Sequence, residues 1–214
     1  MVKETILKKI IDCKIRPEQY VQTFTVEGRT FSLEPFGNWA KGNAEYIKLI
    51  TNWRRKHQIA FPSIFDVTFQ GTNKWFQSQV INNPERILFG LFDQDRCLIG
   101  HVGLSTFDFG IFDCEIDNVM KGDPNLEKGV LREATRQLVD FAYTVLEMSS
   151  VSLRVFGDNY RAIRLYQNCD FSVVDSIPMT LEFEGDTVHW REVVGNKNKV
   201  VHRIFIKMVH TREN

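Results

Sequence analysis

The chain has 214 residues, 43% of them hydrophobic, with 17 Phe, 5 Tyr and 4 Trp. That is enough apolar material for a packed core and excludes a disordered chain. Its 27 Lys and Arg balance 27 Asp and Glu, so no global basic field argues for nucleic acid and no polybasic tail for an anionic membrane.

No apolar run approaches the roughly 20 residues of a membrane-spanning helix; Ile87–Phe92 is among the longest and is strand-sized. Residues 1–11 place charged and apolar side chains at helical spacing, without the continuous apolar stretch of a secretory signal. Residues 1–19 therefore read as a helical extension of one domain spanning 1–214. Cys13, Cys97, Cys114 and Cys169 are isolated, with no C-x-x-C pair. They suit reduced, packed thiols better than a disulfide framework or a zinc site. The expectation is a cytoplasmic protein with no metal.

After the first helix, residues 20–25 and 30–35 alternate around Glu27-Gly28, a hairpin pattern. Residues 38–57 give a helical pattern of apolar positions (Ala44, Ile47, Leu49, Ile50, Trp53), and a second short helix is predicted over 72–80. Residues 86–93, 97–107 and 112–120 are β-rich and form an antiparallel meander. The period then changes: Val130, Ala134, Leu138, Phe141, Ala142 and Val145 make one apolar stripe opposite Arg132, Glu133, Arg136 and Asp140, a long amphipathic helix. A strand over 151–156, a short helix over 159–168 and closing strands over 171–184 and 200–210 follow. Strand, long helix, strand implies one parallel pair in a mixed sheet, so the fold class is α+β.

Two stretches carry chemistry. The first, residues 121–130, brings Lys121, Glu127, Lys128 and Gly129 to the mouth of the long helix. Unpaired N–H groups and the positive end of the helix dipole make such a mouth a phosphate site. The second runs from Val155 to Phe171. There Asp158 or Asn159 caps a helix on which Ala162, Ile163 and Tyr166 share a face.

The order Asn159-x-x-Ala162-Ile163-x-Leu165-Tyr166, then Phe171, resembles the closing motif of the GNAT superfamily of acetyl-CoA-dependent N-acetyltransferases. Glu115-Ile116 matches the start of that family's fourth strand and Gly129 the central glycine of its phosphate loop. The resemblance spans about residues 86–174. Leu126 stands where the loop usually has Arg or Gln, Leu131 where it has Gly or Ala, and Asp170 where a glycine precedes Phe171. Residues 117–123, 52–55 and 72–76 look more like members that acetylate amino sugars carried on nucleotides.

The resemblance implies a GNAT-like central mixed, mostly antiparallel sheet with splayed fourth and fifth strands and helices on both faces. It implies acetyl-CoA as co-substrate, and direct attack by the amine without an acyl-enzyme. Pantetheine would lie on the backbone of Val119, Met120 and Lys121 and against Asn159 and Ala162. The phosphates would lie on Glu127, Lys128, Gly129, Val130 and Leu131. Tyr166 would sit near the sulfur, where a neutral phenol can protonate the leaving thiolate. Glu115 is the candidate base, acting through water. Asp117, two residues on, shares its strand face, and either carboxylate could instead serve a salt bridge. His101 titrates in a suitable range but ranks below Glu115.

Trp53, Arg54, His57, Phe61, Phe65 and Trp75 supply aromatics and a cation for an acceptor pocket, with His101 behind them. The competing reading places Trp53 in the core and Arg54, Arg55 and Lys56 in water. The partner expected is a small-molecule amine, an amino sugar nucleotide above all. Acetylation of a protein N-terminus or ribosomal protein is the second reading, and a non-catalytic acyl-CoA-binding scaffold the third. The oligomeric state stays open, a homodimer included.

Overall fold

The structure, a computed structural model, describes residues 2–123, 125–195 and 199–212; Pro124 of the predicted phosphate loop lies outside them. Helix α1 (Val2–Ile15) leads into a hairpin of β1 (Gln22–Val26) and β2 (Arg29–Pro35). Then come α2 (Ala44–Lys56), the short β3 (Ser63–Ile64) and α3 (Phe69–Trp75), which continues as a wider π-helical turn over Phe76–Ile81. The meander is β4 (Ile87–Phe92), β5 (Leu98–Asp108) and β6 (Asp113–Lys121). Next are α4 (Val130–Thr144), β7 (Ser150–Phe156), α5 (Tyr160–Gln167), β8 (Ser172–Glu184), β9 (Thr187–Glu192) and β10 (Arg203–Thr211).

The strands form one sheet in the order β1-β2-β4-β5-β6-β7-β10-β8-β9-β3. Every adjacent pair is antiparallel except β6 and β7. Helices cover both faces. On one, Ile6 and Ile10 of α1 and Leu138 and Phe141 of α4 pack on Phe89, Val102 and Ile116. On the other, Ile47, Ile50 and Trp53 of α2 and Phe76 pack on Leu88, Leu98 and Met120. Each such side chain removed from water contributes roughly 1.5–3 kcal/mol. The fold is the α+β, mostly antiparallel arrangement expected. No helix among the described residues is long and apolar enough to cross a membrane.

Two helix starts and two strands differ from the sequence expectation. The helix predicted over 38–57 starts at Ala44, because Asn43 caps it: its Oδ1 accepts the N–H groups of Glu45 and Tyr46, both at 3.1 Å. The helix predicted over 72–80 starts at Phe69, where the Thr68 hydroxyl accepts the Gly71 N–H at 3.0 Å. β3 and β9 were not predicted. β9 turns back from β8 at Gly185, whose φ is 57°, and β3 pairs with it through Ser63–His189 and Ile64–Val188.

Candidate active site

The parallel ladder of β6 and β7 has only three rungs, Asp113–Ser150, Cys114–Val151 and Glu115–Ser152. From Ile116 onward β6 has no strand partner on its β7 side among the described residues, so the two strands part. This is the splay expected of the fourth and fifth family strands.

A β-bulge sits in the parted half. His101 pairs with Met120 and Gly103 with Asp117, so Asn118 and Val119 both stand opposite Val102. Asn118 takes the left-handed φ of 50° that the bulge requires. One consequence is a switch of faces: Ile116 lies in the α1–α4 core, whereas Met120 lies in the α2–α3 core. The stretch Val119, Met120 and Lys121 thus lies on the β5 side of the gap, past the last rung that joins β6 to β7.

At the other end of this gap, Gly129 precedes α4 with φ 101°, and no side chain caps the helix. The first N–H groups, including those of Leu131 and Arg132, therefore lie at an uncapped positive helix end. Leu126 is buried in the core, so it cannot replace the polar side chain the motif usually carries there. The Glu127 carboxylate is paired with Arg29 from the β1–β2 hairpin, while Lys128 is exposed and Val130 buried. Asn159 is the N-cap of α5, its Oδ1 accepting the Ala162 N–H at 3.3 Å. Asp158 does not cap: both its oxygens bind Arg203, at 3.0 and 2.5 Å.

Tyr166 is 8% exposed and packs edge-on to Phe171. Burial raises its pKa well above that of a free phenol, and Cys169 and Asp117 add to the rise, so the hydroxyl keeps its proton at neutral pH. Glu115 is not free. Its two oxygens take the Arg154 Nε and Nη2 donors at 2.9 and 3.0 Å, which favours the salt-bridge alternative for this carboxylate. Asp117 on the same face is different. Its Oδ2 binds Arg86 Nη1 at 2.7 Å, while Oδ1 is shielded from water and has no hydrogen-bond partner among the described residues.

On the acceptor side, Arg54 lies 4.3 Å from the centre of the Trp75 ring and 5.9 and 5.8 Å from those of Phe61 and Phe65. Burial, then the charge of Arg86, lower its pKa. Among the described residues no carboxylate and no hydrogen-bond acceptor pairs with this guanidinium. Arg55 instead donates to the Val67 carbonyl at 2.7 Å, and Lys56 is exposed. Trp53 is in the core and also covers Gly122, where an added Cβ would meet its ring at 2.2 Å. His57 is half-buried at the end of α2, with its pKa lowered by burial and then by Lys56.

His101 is 1% exposed and 5.9 Å from Trp53, ring centre to ring centre. Its Nδ1–H donates to the Asn118 carbonyl in the bulge at 2.6 Å, and Nε2 has no partner among the described residues. Burial drives its pKa down to about 4; the Asn118 bond opposes this and the Arg54 charge adds to it. His101 is therefore neutral at physiological pH. Asp117, Arg86, Arg54, His101 and Tyr166 form one electrostatically connected group. Sequence reasoning missed Arg86 and Arg154, whose partners are 31 and 39 residues away; no local pattern marks such pairs. Among the described residues no cluster of three or more His, Cys, Asp or Glu could hold a metal ion.

Comparisons with known proteins agree with this geometry. The chain is 25% identical to the acetyltransferase PseH of Campylobacter jejuni over 144 residues, 64% of this chain and 84% of that protein. It is 24% identical to the spermidine N(1)-acetyltransferase of Vibrio cholerae over 131 residues, 61% of this chain and 74% of that protein. The structure of spermidine N-acetyltransferase from Vibrio cholerae, in complex with CoA and spermine, superposes with a TM-score of 0.64 at 17% identity, covering 85% of this chain and 95% of that one. The model of the acetyltransferase (GNAT) domain matches residues 39–172, most of the chain and all of the splayed site, so this protein belongs to the GNAT acetyltransferase family.

Proposed function

We propose that this enzyme moves the acetyl group of acetyl-CoA to a primary amine, and that the amine belongs to an amino sugar carried on a nucleotide. The strand segment around Val119 and Met120, past the last β6–β7 rung, and the start of α4 support the cofactor half of this reading. The first suits an amide-bearing chain such as pantetheine, the second a pyrophosphate. Acetyl-CoA supplies an activated thioester. The chain positions the amine beside it and protonates the leaving thiolate from Tyr166.

The observation that carries the acceptor half is Arg54. It is a half-buried guanidinium, stacked on Trp75 and flanked by Phe61 and Phe65, with no hydrogen-bond acceptor on its donors among the described residues. Such a fork binds a phosphate or diphosphate bidentately, and the rings offer stacking surface for a base or sugar. A polyamine would bring several positive charges to the Arg54 guanidinium, which no described carboxylate neutralises. This disfavours spermidine, although a relative named for that activity is about as similar as the PseH protein. An extended peptide would need an open groove, which the aromatic wall at Phe61, Phe65 and Trp75 narrows. The four free cysteines suit a reducing, cytoplasmic setting.

The test is turnover with acetyl-CoA on nucleotide-linked 3-amino and 4-amino sugars, spermidine and peptides with free N-termini. The nucleotide-linked amines are expected to give the highest kcat/KM. Arg54→Met should raise KM for them by about 10–100-fold, the loss of one charge-assisted bond pair. Preference for spermidine, unaffected by Arg54→Met, would overturn the acceptor assignment.

A further inference from the structure

Resting on that acetyl-transfer reading, we propose that Asp117 is the carboxylate that receives the acceptor's ammonium group and takes its proton. A primary amine arrives protonated at neutral pH, and only the neutral form can attack a thioester. An acceptor site beside Arg54 repels an ammonium unless an anion stands where the nitrogen must sit. Asp117 Oδ1 is such an anion, with the other oxygen already anchored on Arg86 at 2.7 Å.

Three features single it out. Glu115, the neighbouring carboxylate on the same face, has both oxygens engaged by Arg154. His101 Nε2 has no partner among the described residues, but its burial and then the nearby Arg54 charge oppose a proton there. Close packing against β5 also fixes the Asp117 carboxyl in place. Its ladder partner is Gly103, where a Cβ would stand 3.1 Å from Oδ1, and 2.9 Å from both the Ile87 carbonyl oxygen and Leu88 Cδ1. Ser105 and Asn118 lie near the carboxyl without making a hydrogen bond of good geometry to Oδ1. Tyr166 is within electrostatic range of the same carboxylate, so the proton acceptor and the proton donor are coupled through space.

The step balances. One ammonium N–H breaks and its proton goes to Oδ1, giving a neutral amine and a carboxylic acid. The nitrogen lone pair forms the N–C bond while the thioester carbonyl pair moves to oxygen. That pair returns as the C–S bond breaks, and the sulfur leaves with the Tyr166 proton. The second proton lost by the nitrogen restores the phenol, and the proton on Asp117 passes to water.

The expected acceptor therefore carries an amine and an anion at fixed separation, the amine at Asp117 and the anion at Arg54. The experiment is the pH dependence of kcat/KM for the best acceptor, in the wild-type protein and in Asp117→Asn, Arg86→Gln, Glu115→Gln and His101→Gln. Asp117→Asn should lower turnover at neutral pH by about 10²–10⁴-fold, with the loss partly recovered as pH approaches the amine's own pKa. Acetyl-CoA affinity should change little. Arg86→Gln removes the charge that opposes the burial-driven rise of the Asp117 pKa, so the acidic limb should move to higher pH. That shift decides the matter if Asp117→Asn does not fold. The proposal is overturned if Asp117→Asn stays within about threefold of wild type, far outside the range for a lost general base. It is also overturned if the limb disappears in Glu115→Gln or His101→Gln and persists in Asp117→Asn. Wild-type protein that acetylates no amine refutes the acetyl-transfer reading itself, and Asp117's role with it.

Discussion

Arg154 holds Glu115 with two parallel bonds, Nε to Oε1 at 2.9 Å and Nη2 to Oε2 at 3.0 Å, and its Nη1 reaches Glu192 at 3.4 Å. Glu115 forms the last rung of the parallel ladder, so the pair ties β6 to β7 at the point where they part, and adds a link to β9. A bidentate pair of this kind does more than a loose surface contact, although Arg154 remains partly in water. A double-mutant cycle with Glu115→Gln and Arg154→Met should therefore show a coupling of about 0.5–2 kcal/mol in urea unfolding. Additive effects would mean that the pair does not hold the splay.

Tyr166→Phe removes one oxygen from a packed helix and leaves the ring against Phe171. With burial holding the phenol in its protonated form, the hydroxyl's expected work is proton donation to the departing thiolate. Turnover should fall by about 10²–10⁴-fold while KM for acetyl-CoA stays put. A tyrosine that only packs would do the reverse, losing thermal stability while kcat is kept.

How far the sequence reveals this site depends on the range of the interaction. Helix α4, a cap at Asp158 or Asn159, the hairpin at Glu27-Gly28 and the meander were readable, because periodicity and capping act within one element. That Asn159 caps rather than Asp158 follows from Arg203, which takes both Asp158 oxygens. Tyr166 and Asn159 stood out because their spacing lies within one short helix. The bulge at Asn118–Val119 was not readable, since it shows only in the register against β5. Asp117 and Glu115 look equivalent as two carboxylates at alternate positions. What separates them is that Arg154 on β7 reaches one and Arg86 beside β4 reaches the other. Arg54 was legible as a cation on a helix, but its enclosure by rings from three later segments was not. The exposed Cys97 departs from the expectation of packed thiols, because it falls in the turn between β4 and β5 rather than within a strand.

Gly129 has a left-handed φ of 101° directly before α4, and a Cβ there would meet the Val26 side chain at 3.6 Å and Arg132 Nη2 at 3.7 Å. Gly129→Asp would strain the loop and set a negative charge at the helix mouth proposed to hold the cofactor's phosphates. Acetyl-CoA affinity, measured by calorimetry, should weaken by about 10–100-fold, equivalent to roughly 1–3 kcal/mol. Undiminished affinity in a variant with wild-type circular dichroism would remove the phosphates from this loop.

His101 gives the fold a pH dependence of known sign. A histidine in the unfolded chain takes up its proton near pH 6.5, whereas burial holds the folded group's pKa down to about 4. Between these values the unfolded chain binds more protons, so lowering the pH draws the equilibrium towards unfolding. The stability contributed by keeping His101 neutral is fully present above about pH 6.5. It is lost as the pH falls towards 4. The whole window is worth up to about 3 kcal/mol. His101→Gln keeps a polar side chain able to donate to the Asn118 carbonyl but does not titrate. Its unfolding free energy should therefore fall less steeply over this window than that of the wild type, the carboxylates contributing equally to both. Parallel curves for the two proteins in urea titrations across that range would show that His101 takes its proton in the fold as readily as in the unfolded chain. The buried, unpaired Nε2 would then have to reach water.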